Sequence, residues 1–278
     1  LPFLLRDHTW WLTSSDRHAN DFSFNGAWRK LEISLMHARW AQKRIEAQRL
    51  GNGSATKETD STASSTSEVV EINELRVFAQ MYRLEDGGLG LLLQMPELHP
   101  RRVILTIRHA DWWFWENDEQ LRFEAEWLKS TALALSTSTR EIVIELETLS
   151  RKKSQLEHVA AHISRKWFFR RKDGVVLFGD TTCRSNEVST WQGPSSWAGQ
   201  RWVRDESSPG KIDYYIISVP FRLRTVVERR GGSIDEKFET MAYSPSEMRV
   251  TAPGTVLEEQ GWILLDDPGS EPSVLESF

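Results

Sequence analysis

Arg101-Arg102-Val103-Ile104-Leu105-Thr106-Ile107-Arg108-His109-Ala110-Asp111-Trp112 is the stretch on which the fold is read. Set beneath it, Arg29-Lys30-Leu31-Glu32-Ile33-Ser34-Leu35-Met36-His37-Ala38-Arg39-Trp40 repeats the Arg, the His-Ala pair and the Trp, with the apolar positions in register. Leu31, Ile33 and Leu35 alternate with polar residues, the period-2 pattern of a half-buried strand. Glu141-Ile142-Val143-Ile144-Glu145-Leu146-Glu147 is a shorter third echo, its Ile142, Ile144 and Leu146 matching Val103, Leu105 and Ile107. This is the signature of an internal repeat.

Working outward, helical composition follows the strands. Residues 37–50 are rich in Ala, Gln, Glu, Arg and Lys and stop at Gly51-Asn52-Gly53. Leu75, Phe78 and Tyr82 stand at helical spacing, Leu89 to Met95 read as a short helix ended by Pro96, and Phe123 and Trp127 share one face of a helix over residues 121–135. Leu156, Val159, Ala160, Ile163 and Trp167 form an i, i+3, i+4, i+7, i+11 stripe. A further strand is expected at Val175 to Phe178. The order predicts an α/β fold of repeated strand-helix units, with a parallel sheet joined by right-handed crossovers. An open sheet and a leucine-rich-repeat-like arc both satisfy it, although no Leu-x-x-Leu-x-Leu-x-x-Asn motif occurs.

A Trp-rich β region is expected next, with Trp191, Trp197 and Trp202 set among Gly, Pro and Ser, and an apolar strand from Ile212 to Phe221 ending near Pro220. The organisation reads as a first strand-helix unit (1–50), a disordered insert (51–68), a main α/β region (69–225) and a weakly ordered tail (226–278). The insert has no large apolar side chain with which to offset its ordering entropy.

The chain is 39% hydrophobic and 27% charged, the composition of a folded protein, and its net charge of -5 offers no general attraction for nucleic acid or anionic membranes. No apolar run approaches the roughly 20 residues needed to span a bilayer. Cys183 is the single cysteine, so no internal disulfide forms and an intracellular setting is expected.

No catalytic residue, metal ligand or cofactor motif emerges. His109, Asp111 and Glu116 are close in sequence, but no H-x-x-x-H or H-E-x-x-H accompanies them, and Arg39 replaces Asp111 in the other copy. Glu145 and Glu147 share a strand face with Glu141 and Val143, which is expected to be solvated rather than a cleft. Gly87-Gly88-Leu89-Gly90 lacks the Lys-Ser/Thr of a phosphate-binding loop. Residues 165–172 mix basic and aromatic side chains, including Arg170 and Arg171, as nucleic-acid contacts do; the same cations also suit a helix C-terminus, and nucleic acid is not the expected partner.

Thirteen tryptophans supply the remaining signal. Trp112, Trp113 and Trp115, with Phe114, follow a strand directly, and successive side chains diverge, so at least one ring should reach the surface. Trp112, Trp113, Trp115, Trp191, Trp197, Trp202, Arg170 and Arg171 are therefore the candidate binding residues.

The phrases Leu105-Thr106-Ile107-Arg108-His109-Ala110-Asp111-Trp112-Trp113, Ile144-Glu145-Leu146-Glu147-Thr148-Leu149 with Lys152-Lys153, and Trp197-x-Gly199-Gln200-Arg201-Trp202-Val203-Arg204-Asp205-Glu206 resemble uncharacterised fungal proteins, many with an F-box-like N-terminal region. The resemblance covers about residues 100–225. It implies a leucine-rich-repeat-like or related α/β region and carries over no catalytic residue. The expectation that follows is a protein-recognition module, the substrate-binding part of an F-box-type ubiquitin-ligase receptor in its most specific form, reaching a ligase adaptor through sequence upstream of Leu1. The alternatives are an enzyme with a site assembled from distant residues, such as a glycan-acting hydrolase, and RNA binding through residues 165–172.

Overall fold

A computed structural model describes residues 9–13, 71–95, 98–181, 187–197 and 200–254. The first copy of the repeat (29–40), the helix after it and the insert at 51–68 lie outside the described residues.

The centre is a mixed eight-stranded sheet. Its parallel part consists of β1 (Thr9–Thr13), β2 (Glu71–Phe78), β3 (His99–Ile107) and β5 (Glu141–Leu149), neighbours in that order. In the β3–β5 pair, Val103, Leu105 and Ile107 lie opposite Ile142, Ile144 and Leu146, the match read from the sequence. The long strand β11 (Lys211–Leu223) then pairs antiparallel with β5, and its far side carries β7 (Val176–Gly179) and β8 (Glu187–Pro194). β6 (Phe168–Arg170) closes that end against β7. The expected parallel sheet is thus a mixed one, because β11 enters from the opposite direction.

Two minor pairs complete the strands. β4 (Arg122–Phe123) pairs with β12 (Val250–Thr251), and β9 (Ser196–Trp197) with β10 (Gln200–Arg201). The helices are α1 (Met81–Glu85), α2 (Gly88–Leu93), α3 (Trp127–Ala134), α4 (Lys153–Lys166), α5 (Arg224–Arg229) and α6 (Pro245–Met248). Among the described residues no helix is long and apolar enough to cross a membrane.

Alternation assigns the two faces of the sheet. Leu75, Val77, Val103, Leu105, Ile107, Ile142, Ile144, Leu146, Ile217, Val219 and Phe221 are all buried in one hydrophobic core. Helix α4 covers it with the stripe read from sequence, and Leu156, Val159, Ala160 and Ile163 are completely buried, as is Trp167 just beyond its end. Roughly 1.5–3 kcal/mol per large apolar side chain holds this layer in place.

The other face is polar and cross-linked by ion pairs. Arg102 bridges Glu74 (3.1 Å) and Glu141 (2.9 Å), Arg222 bridges Glu141 (2.6 Å) and Asp180 (2.6 Å), and Arg76 pairs with Glu145. The solvated face expected at 141–147 needs correction: Val143 and Glu147 are buried, and Glu141 and Glu145 are half-buried within this network. A strand flanked on both sides, as β5 is by β3 and β11, has little access to water along its centre.

Four further differences have local causes. Residues 71–78 form a strand rather than a helix turn, because Leu75 and Val77 face the core while Glu74 and Arg76 face the ion pairs; the spacing to Tyr82 crosses into α1. Helix α3 begins at Trp127, since Phe123 is held in β4, yet the two rings still stack at 6.0 Å. β11 runs through Pro220 to Leu223. Pro220 accepts from Asp180 N (2.9 Å), and the N–H it lacks falls where β8 has ended and β7 begins. Residues 231–254, assigned by composition to the tail, carry Phe238, Met248, Val250 and Ala252 into the core. Sparse apolar islands suffice there because each fills a gap beside β6 or α4.

Candidate functional site

The aromatic run after β3 turns through a loop that is anchored at three points. At its start the Arg108 backbone N–H and Nε donate to the buried Asp111 carboxylate at 3.1 and 3.0 Å. In its middle Trp112 donates its indole N–H to Glu147 O (2.8 Å) and meets Phe123 edge-on at 5.8 Å. At its end Asp118, at φ 60°, accepts from Arg151 (2.7 and 2.8 Å) and pairs with Lys152 (2.8 Å).

Trp112 and Trp115 are each only 3% exposed, so they anchor the loop and are not contact surface. Phe114 is different. It is 43% exposed and sits at φ 52°, a left-handed backbone that a bulky side chain rarely adopts. Trp113 beside it is half-buried and donates its indole N–H to Glu85 Oε1 at 2.6 Å. Tyr82 lies 6.5 Å from Trp113, and Arg122 stands 5.7 Å over the Trp113 ring and 5.2 Å over Phe114. Arg83 covers Tyr82 at 5.1 Å. Burial raises the Glu85 carboxyl above its ordinary range, while the Trp113 hydrogen bond opposes that shift. The result is a surface patch of three aromatic rings and two guanidinium groups, drawn from the anchored loop, α1 and β4.

A second set of rings links the segment after β3 to β11 and β8. Trp202 meets Trp115 (4.7 Å), Trp115 meets His109 (5.5 Å), His109 approaches Tyr214 (6.2 Å), and Tyr214 stacks on Trp191 at 4.4 Å and 13°. Glu147 ties this row together, accepting from His109 N (3.3 Å) and from Trp191 Nε1 (3.0 Å). Burial raises the Glu147 carboxyl. The His109 ring is 4% exposed, has no hydrogen-bond partner on either nitrogen among the described residues, and is pushed by burial down to about 4, so it is neutral in ordinary buffers.

The structure therefore brings Trp115, Trp191 and Trp202 together and sets Trp113 on the surface. Trp191 is 45% exposed. Trp197 is known here only as part of β9. Arg170 and Arg171 are engaged structurally: Arg170 donates to Phe238 O (2.8 Å) and Met241 O (3.0 Å), and Arg171 to Thr139 O (3.0 Å). Tyr82, Arg122, Glu85 and Tyr214 were not legible as site residues, because each reaches the site from an element remote in sequence. Among the described residues no group of His, Cys, Asp and Glu is arranged to hold a metal ion. Comparison with protein families, with curated proteins and with solved structures finds no match.

Proposed function

We propose that this chain is a protein-recognition module whose contact surface is the patch of Tyr82, Trp113, Phe114 and Arg122. One observation carries the reading: Phe114 is exposed at an unfavourable backbone angle in a loop that is anchored before it by the buried Trp112 and after it by the buried Trp115. Backbone strain of this kind concentrates at binding and switching sites. Aromatic and arginine side chains on a preorganised loop are also the residue types that dominate interface energetics.

In its more specific form the module is the substrate-binding part of an F-box-type ubiquitin-ligase receptor working inside the cell. That form rests on the resemblance of residues 100–225 and on the single cysteine. A leucine-rich-repeat-like origin for the parallel strands belongs to the same proposal.

The test is affinity capture with the full chain against Phe114→Ala and Arg122→Ala, with a photo-crosslinking residue at the exposed position 117 of the same loop as a second readout. A discrete protein adduct at 117, lost from both variants at unchanged melting temperature, is the expected result. Identical capture by all three proteins removes the patch as a contact surface. Recovery of a ligase adaptor with the wild type decides the specific form.

A further inference from the structure

The outer edge of β8 is the other surface feature that packing does not account for. Residues Val188, Ser189, Thr190, Trp191 and Gln192 are all exposed, and none is charged. Among the described residues β8 pairs only with β11, and its register is continuous from Lys211↔Pro194 to Ser218↔Glu187, with no bulge. The direction of its backbone groups follows from one hydrogen bond. Ser195 N donates to Gly210 O (2.9 Å), which places Ser195 and Gly210 in a hydrogen-bonded pair. Alternation then turns Gly193, Trp191 and Ser189 toward β11, and leaves the N–H and C=O of Val188, Thr190 and Gln192 pointing away from the sheet.

Proteins ordinarily protect such an edge with lysine, proline, a bulge or a covering segment. The β6 edge, beyond β7 on the same side of β11, shows this: Arg170 N of β6 donates to the Tyr243 hydroxyl (2.9 Å) from the C-terminal stretch. Among the described residues β8 has no such protection. Pro194 stands only at its last position, and the strand itself is held firm by the Trp191–Tyr214 stack and the Trp191–Glu147 hydrogen bond.

A strand laid along β8 would place alternate side chains on the two faces of the sheet. On one face they meet the Trp191 ring. On the other, Asp213 of β11 stands opposite Gln192 of β8. These two, with Ser150 just past the end of β5, Thr190 and Trp191, line a trough of about 480 Å³. Asp213 accepts from Gln192 Nε2 (2.8 Å) and has no cation partner among the described residues. That hydrogen bond, with one from Ser207, keeps its carboxyl below the ordinary range, so it is ionised.

We propose that β8 accepts an extended segment of a partner protein as an added strand, with a lysine or arginine side chain of that segment in the trough against Asp213. The edge provides main-chain hydrogen bonds without regard to sequence, and the trough selects the side chain. This surface is separate from the Phe114 patch, and it stands or falls independently of that reading.

The probes are capped peptides of alternating Thr and Lys, of alternating Thr and Glu, and of Thr and Lys with alternate backbone nitrogens methylated. The full chain is titrated with each by fluorescence anisotropy, and hydrogen exchange is followed over residues 187–194. The Thr-Lys peptide is expected to bind and slow exchange there, with the Thr-Glu peptide weaker by about tenfold or more and the methylated peptide not binding. Thr190→Pro removes an outward N–H while sparing the bonds to β11, and should abolish binding at an unchanged circular dichroism spectrum. Asp213→Asn should bring the two charged peptides to within about twofold of each other, which keeps the proposal falsifiable if the proline variant misfolds. Equal binding of the Lys and Glu peptides by the wild type overturns the role of Asp213. Absence of protection at 187–194 with every peptide overturns the strand-addition proposal. A dimer in sedimentation that Thr190→Pro dissolves would also overturn it, assigning the edge to a second copy of this chain.

Discussion

His109 closes β3 with its imidazole packed between Trp115 and Tyr214, and burial holds it near 4 against an ordinary 6.5. Asp205 opposes that shift, while Lys152 and Arg151 add to it. The folded state thus refuses a proton that the unfolded chain accepts, so the stability His109 contributes is complete above about 6.5 and is lost as pH falls toward 4. On this group alone, acidification from about pH 7 to about pH 5 should cost on the order of 2 kcal/mol. Glu147 acts in the opposite sense, since its raised folded value favours the folded state as pH falls. Urea unfolding of wild type and His109→Gln at both pH values separates the two, and the variant should lose most of the acid sensitivity. Equal slopes would mean that His109 titrates normally. Phe114 provides a second check at this scale. Gly tolerates a left-handed backbone at no steric cost, so Phe114→Gly should change stability by less than about 1 kcal/mol, in either direction, in thermal melts. A larger loss would show that the ring packs and is not held out for a partner.

At the level of elements, helix α4 and the C-terminal stretch depend on each other. The Trp167 indole N–H donates to Met248 O, His162 Nε2 lies 3.1 Å from the same carbonyl, and Phe168 stacks on Phe238 (5.1 Å) and Tyr243 (4.5 Å). Trp167→Ala should therefore cost about 3–5 kcal/mol, from cavity and transfer terms, with a smaller cost for Trp167→Phe. Ending the chain after Arg230 removes Phe238, Met248 and Val250 from the core, and should lower the melting temperature on the order of 10 °C. A truncated chain that melts with the wild type would restore the reading of residues 231–254 as a weakly ordered tail.

Over the whole molecule, the main hydrophobic cluster runs from Ile72 on β2 to Ala252 after β12, and a small second one of Leu149, Ile212 and Tyr214 lies at the aromatic end. β11 joins the aromatic end to the parallel strands, since it pairs with β5 on one side and with β8 on the other. Far-ultraviolet circular dichroism and tryptophan fluorescence should then report coincident unfolding transitions. Two resolved transitions would divide the β8–β11 hairpin from the rest.

Periodicity is a local property, and it was enough to find β3, β5, α4 and the facing residues of the β3–β5 pair. Val103, Leu105 and Ile107 share one face because successive side chains alternate along a strand, whichever strands lie beside it. The helical stripe from Leu156 to Trp167 is legible for the same reason. The direction in which β11 enters the sheet, the burial of Glu147 and the route of residues 231–254 follow no local pattern, since each depends on which element arrives next to it. The aromatic run at 112–115 shows the division within four residues. Divergence of successive side chains requires that one ring face outward, and that much is dictated by the chain. That the ring is Phe114, with Arg122 over it and Trp113 tied to Glu85, was decided only when β3, α1 and β4 met, because burial is a property of the assembled surface and not of any residue alone.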